Sequence, residues 1–136
     1  MAQIKIYGHA GFLRANRTAL SDVIHSCTKD ALGLPAEKRF HRFLPLDAGD
    51  FVHPPDRSER YTIIEISMFE GRSVEAKKQL IRLLFARLAE HGLVALQDLE
   101  ITITEMPRHN WGIRGLPGDE LPFIQTQIQY LRQFWP

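Results

Sequence analysis

The chain has 136 residues, 44% of them apolar and 24% charged, ordinary values for one soluble globular domain with a core of its own. Seventeen Lys and Arg against sixteen Asp and Glu leave a net charge of +1, which excludes the basic footprint of a nucleic-acid binder or of a protein drawn to anionic membranes. No apolar run nears the roughly 18 residues of a transmembrane helix, "MAQIKIYG" lacks a signal-peptide core, and the single cysteine cannot form an internal disulfide, so a reducing cytoplasm is the expected compartment.

In chain order, residues 3–8 alternate as Gln-Ile-Lys-Ile-Tyr-Gly, the pattern of a half-buried strand. Asn16 or Thr18 is then expected to cap a helix whose apolar stripe is Leu20, Val23, Ile24, Cys27 and Ala31, ending near Gly33 and Pro35. Cys27 falls on that stripe and reads as a core thiol, and His25, beside Ile24, reads as a surface residue. "RFHRFLPL" gives a second strand that brings Arg39, His41 and Arg42 close together, as replacement charges or as solvated strand residues. "HPPDRSERY" is a polar hinge. A third strand carries Ile64 and Ile66 and runs into Glu70-Gly71-Arg72, with Ser73 as N-cap and Glu75 in the first turn of a helix bearing Leu80, Leu84 and Leu88. "LEITITEM" closes this unit with Ile101 and Ile103 on one face, and Ile124, Ile128, Leu131 and Trp135 predict a short helix in the tail.

The two halves match at an offset of 60 residues: Ile4 meets Ile64, Ile6 meets Ile66, Gly11 meets Gly71, Leu20 meets Leu80 and Phe51 meets Trp111. Each half reads as strand-helix-strand, which implies parallel strands joined by a right-handed crossover. The expected fold is therefore an α/β sandwich, in the α+β sense of helices on one face. Two tandem β-α-β units form a four-stranded sheet with two helices on that face, followed by a C-terminal hairpin and a tail helix. As one domain over residues 1–136, repeat 1 spans about 2–56, repeat 2 about 62–115 and the tail 116–136. A sheet with one uncovered apolar face must bury it, and a second copy of the chain is the simplest cover.

"IIEISMFEGRSVEAKKQLIRLLF" followed by "LEITITEMPRHNWGIRG" resembles the 4-oxalocrotonate tautomerase family through the "EGRS" turn, the "ITEM" strand and the aromatic-Gly-Ile-x-Gly hairpin. The whole chain resembles the fused, two-repeat members of that superfamily, which assemble as trimers. The resemblance implies keto-enol chemistry on a small unsaturated or enolic carboxylate, moved by an amino-terminal proline amine, with no cofactor and no metal. Arg72 stands at the family's turn-arginine position and would hold the carboxylate, which would also offset a cation placed at a helix N-terminus. Trp111 matches the pocket aromatic, and Arg42 and His109 join it as candidate substrate-binding residues.

Two positions depart from the family pattern. The catalytic proline is replaced by Ala2, which presents a primary amine if Met1 is removed and is an amide if Met1 stays. Glu100 stands where the family has an activating arginine. Two readings follow: a weak or atypical tautomerase using Ala2 and Arg72, or a non-catalytic trimeric scaffold that binds a small acid in a vestigial pocket. The six histidines never fall at metal-ligand spacing with cysteines or carboxylates, and "GHAG" and "GLPG" lack the features of phosphate loops.

Overall fold

A computed structural model describes residues 2–121. Strand β1 (Ala2–His9) leads directly into α1 (Ala10–Leu32), then β2 (His41–Leu46); β3 (Thr62–Phe69), α2 (Val74–Glu90) and β4 (Leu99–Met106) repeat the unit. The sheet order is β2-β1-β3-β4, with β1 parallel to β2, β3 parallel to β4, and the two units joined antiparallel through β1 and β3. Register repeats with the sequence: Ile4 sits beside His41 as Ile64 sits beside Ile101, the same offset of 60. Lys5 faces Glu65, its own counterpart, across the central pair. A pseudo-two-fold therefore runs between them and maps one end of the sheet onto the other.

Alternation drives the layering. Ile4, Ile6, Ile64 and Ile66 point to one face and meet Leu13, Leu20, Ile24 and Cys27 of α1 and Leu80, Leu84 and Leu88 of α2. All seven helix residues are fully buried, and each aliphatic side chain taken from water contributes about 1.5–3 kcal/mol. Cys27 lies in this core, where burial pushes its thiol up. Arg87 of α2 locks the helices together by donating to Asp30 at 2.6 Å and to Ser26 at 3.0 Å.

Several expectations need correction. Helix α1 begins at Ala10, not at Asn16 or Thr18, because Leu13 is already core; the Asn16 amide donates back to the Phe12 carbonyl at 2.9 Å instead of capping. His25 is buried, 3% exposed, and its Nε2 donates to the Ala36 carbonyl at 2.8 Å, so its place is structural. Of the expected group only Arg39 and His41 come together: Arg39 pairs with Asp22 and donates to the Ser21 hydroxyl, which also meets His41, whereas Arg42 lies apart and reaches Gln3. The helix-free face of the sheet is mixed instead of apolar, with Lys5, Tyr7 and Glu65 at its centre and Tyr7 donating to Glu65 at 2.8 Å. The predicted tail helix lies outside the described residues.

The hinge between the units is tied down. Ser58 donates its backbone N–H to buried Asp98 at 2.8 Å, and Arg60 donates to the carbonyls of Gly92 and Leu93, both at 3.0 Å, beyond the end of α2.

Candidate active site

The antiparallel join decides what meets what. Since Ala2 pairs with Met68, the start of β1 lies beside the end of β3, and Arg72 follows three residues after Phe69. The end of β4 arrives at the same edge and leads into Arg108–Asn110, Trp111 and a small hairpin, β5 (Gly112–Ile113) and β6 (Leu116–Pro117). Ala2, Arg72, Trp111 and His109 therefore share one end of the sheet. Arg42 is on the helix-free face beside Lys5, one register step inward from Ile4 and His41.

Each side chain has a local cause. Ser73 caps α2 by accepting the Ala76 N–H at 3.0 Å, and Gly71 at φ 117 makes the turn that carries Arg72. The Arg72 guanidinium, exposed overall, donates to the Leu32 carbonyl at the C-terminal end of α1. A cation is favoured at that end of a helix, so the electrostatic question raised by its position has an answer inside the fold, without a bound anion. Trp111 is half-buried, its ring 5.0 Å from that of Phe69 at 66°. His109 is exposed in the turn. Ala2 is buried, 5% exposed, with its side chain in the core.

The structure adds residues that strand and helix periodicity could not find. Arg108 lies over the Phe69 ring at 4.9 Å, and one of its guanidinium nitrogens is buried with no hydrogen-bond partner among the described residues, a state shared by Arg57 Nε at the other end of the sheet. An unpaired buried donor costs about 1–3 kcal/mol and suits an incoming carboxylate. The hairpin behind it closes tightly: Gly118 donates to the Trp111 carbonyl at 2.6 Å, and a Cβ at 118 would fall 2.6 Å from the Arg108 carbonyl. Lys38, in the turn before β2, is also buried here. The one signal in the sequence was the run of basic residues in "PRHNWGIRG", which strand-and-helix reading passes over.

Glu100 belongs to the opposite end. It is the second residue of β4, beside Ile63, and accepts from the Tyr61 hydroxyl at 3.3 Å. Six residue steps along the strand separate Ile63 from Phe69, about 20 Å at roughly 3.3 Å each. Within one protomer Glu100 therefore cannot face Arg72.

Residues 38–114 match the model of a protein family described as "Tautomerase enzyme", more than half of the chain. The chain belongs to the tautomerase family. A 2-hydroxymuconate tautomerase of Comamonas testosteroni is 37% identical over 57 residues, 42% of this chain and 90% of that protein. An FG41 malonate semialdehyde decarboxylase inhibited by 3-bromopropiolate superposes with a TM-score of 0.76 at 26% identity, over 92% of this chain and 98% of that one. The R7 fused 4-OT, an asymmetric trimer, superposes at 0.77 with 23% identity over 88% and 98% respectively, a likeness of fold. The tautomerase architecture thus extends across both repeats. Among the described residues no helix is long and apolar enough to cross a membrane, and no three metal-ligating side chains converge.

Proposed function

We propose that this chain is an atypical tautomerase acting on a small enolic or unsaturated carboxylate at the end of the sheet that holds Ala2, Arg72, Trp111 and Arg108. The observation that carries the reading is the buried N–H of Arg108, unpartnered among the described residues, beside the Phe69–Trp111 aromatic pair, within a fold whose relatives act on small acids. Arg72 and Arg108 supply cationic donors for the carboxylate and Trp111 an apolar wall, with His109 at the rim. The reaction then needs a group that accepts the enol proton and returns it to carbon. The amine of Ala2, released when Met1 is removed, lies at this end and is one such group. A trimer fits the reading, since the relatives of this fold include trimers and the mixed sheet face has no helix over it among the described residues.

The second reading, a scaffold that binds a small acid without turning it over, is favoured by two specific observations. Position 2 is not proline, and Arg72 already serves the end of α1. Ketonisation of phenylenolpyruvate, followed by the loss of enol absorbance, separates the two. The enzyme reading expects a rate at least tenfold above buffer and a KM about tenfold higher in Arg72→Ala or Arg108→Ala, the loss of one charge-assisted contact of about 1.5–3 kcal/mol. Buffer-level rates in the wild type and both variants would leave the scaffold.

A further inference from the structure

A tautomerase without its proline needs another amine, and the fold contains one. We propose that Lys38 supplies the proton-transfer amine of this site in place of the chain terminus, an inference that rests on the tautomerase reading above. Two geometric observations and one electrostatic one support it.

The first is location. Lys38 donates its backbone N–H to the Pro35 carbonyl at 3.0 Å, closing the turn after α1, and two residues later the Phe40 carbonyl accepts from Ile4 at 2.9 Å. That bond fixes this turn against the start of β1, the position from which the family's proline would act. The second is burial. Lys38 is 6% exposed, far from the usual state of a lysine, and its ammonium lies 5.8 Å from the centroid of the Phe40 ring. The third is its neighbour. Arg114, at the tip of the hairpin that follows Trp111, is close enough for its charge to act on Lys38. Arg114 holds φ 52, a left-handed conformation that a side-chain-bearing residue adopts at a cost of about 1–2 kcal/mol. That turn conformation holds a second cation within electrostatic reach of a buried lysine.

Desolvation and a neighbouring cation are the two conditions that turn a lysine into a base or nucleophile. Burial first and Arg114 second bring the Lys38 amine down to about 8, with Glu37 of the same turn opposing. At pH 7 about one amine in ten is then neutral, against fewer than one in a thousand for an ordinary lysine. Ala2 is the weaker candidate, because it needs Met1 removed and its side chain is packed into the core opposite Met68. The step balances without a co-reactant. The Lys38 nitrogen takes the enol O–H proton, the O–H electron pair becomes the carbonyl bond, and the carbon–carbon double bond takes a proton back from the ammonium.

The test has two arms. In the first, the wild-type protein is incubated with pyruvate and sodium cyanoborohydride at pH 7, and the modified residue is located by peptide mass spectrometry. Condensation of a neutral amine with the ketone expels water, and hydride reduction fixes the imine. Modification concentrated at Lys38 is expected; modification at the amino terminus with Lys38 untouched would overturn the proposal. In the second arm, kcat/KM for phenylenolpyruvate is measured from pH 6 to 9 in wild type and in Lys38→Arg, which keeps the charge and cannot deprotonate. The wild type should rise with a limb near 8, and Lys38→Arg should fall about a hundredfold or more and lose that limb. A variant with the wild-type rate and profile sinks the Lys38 assignment and leaves the tautomerase reading intact. Labelling at Lys38 in a protein with no ketonisation activity does the reverse: the reactive amine stands and the activity falls. The labelling arm uses no variant, so a folding defect in Lys38→Arg cannot hide the answer.

Discussion

The two ends of the sheet are related by the 60-residue repeat, and they have kept the same frame while diverging in chemistry. At one end Phe69 and Trp111 sit 5.0 Å apart; at the other His9 and Phe51, their counterparts, sit 4.9 Å apart. At one end Arg72 reaches the Leu32 carbonyl at the close of α1; at the other Arg60 reaches the Gly92 and Leu93 carbonyls after α2. What differs is the surrounding charge. Around Trp111 stand Arg72, Arg108, Arg114 and buried Lys38, whereas around Phe51 stand His53, Tyr61 with Arg57 over its ring and, beyond it, Glu100. Duplication has preserved backbone, core and aromatic pairing. Cations stand at both ends, since Arg57 lies over the Tyr61 ring at 5.4 Å and Arg60 over the Phe12 ring at 5.0 Å, and the clearest difference falls on one pair of counterparts: Lys38 is buried at the near end and Asp98 at the far one.

The comparison can be broken at three levels. The largest effect belongs to the shared core. Leu20 and Leu80 are counterparts with no exposed surface, and Leu20→Ala and Leu80→Ala should each cost about 2–5 kcal/mol in urea unfolding. Costs differing by more than the spread of that range would show that the two halves do not share one core equally.

The next effect is confined to the first half. His41, whose counterpart is Ile101, is held down to about 4 by burial, with His25 and Arg39 adding to it, and its Nδ1 accepts from Ser21 at 2.8 Å. The unfolded chain binds this proton near 6.5 and the folded chain only near 4. Stability therefore falls as pH drops from about 6.5 toward 4, by at most about 3 kcal/mol, and is fully present above 6.5. Urea midpoints at pH 7 and pH 5 should diverge in the wild type and draw together in His41→Ile, which restores the residue type of the second half.

The smallest effect concerns the two arginines. If both serve only as helix-end caps, Arg60→Ala and Arg72→Ala should lower stability alike, by about 1 kcal/mol each in these exposed settings. Under the tautomerase reading only Arg72→Ala also raises KM. A KM change in both or in neither would erase the functional difference between the ends.

Much of this was legible in the residues. Period-two alternation in "IKIYG" and "IIEIS" placed the central strands, the Leu80-Leu84-Leu88 stripe placed α2, and Ser73 announced its cap, because each depends on contacts within a few residues. The start of α1 was misread because no side chain caps it. Packing of Leu13 against Gly8 and the core settles that boundary, and a local signal cannot report it. His25 was misread for the same reason: its partner, the Ala36 carbonyl, lies eleven residues away.

The repeat, the parallel pairing within each half, and the family's turn, strand and hairpin were determined by sequence alone, since identical local patterns fold into identical local units. The antiparallel join of β1 to β3 was decided only in three dimensions. That join carries Glu100 to the far end of the sheet and gathers Ala2, Lys38, Arg72, Arg108 and Trp111 at the near one. Burial and the field of Arg114, which depend on chain segments some 75 residues apart, make Lys38 an unusual lysine, and nothing in its neighbours along the chain could have shown it.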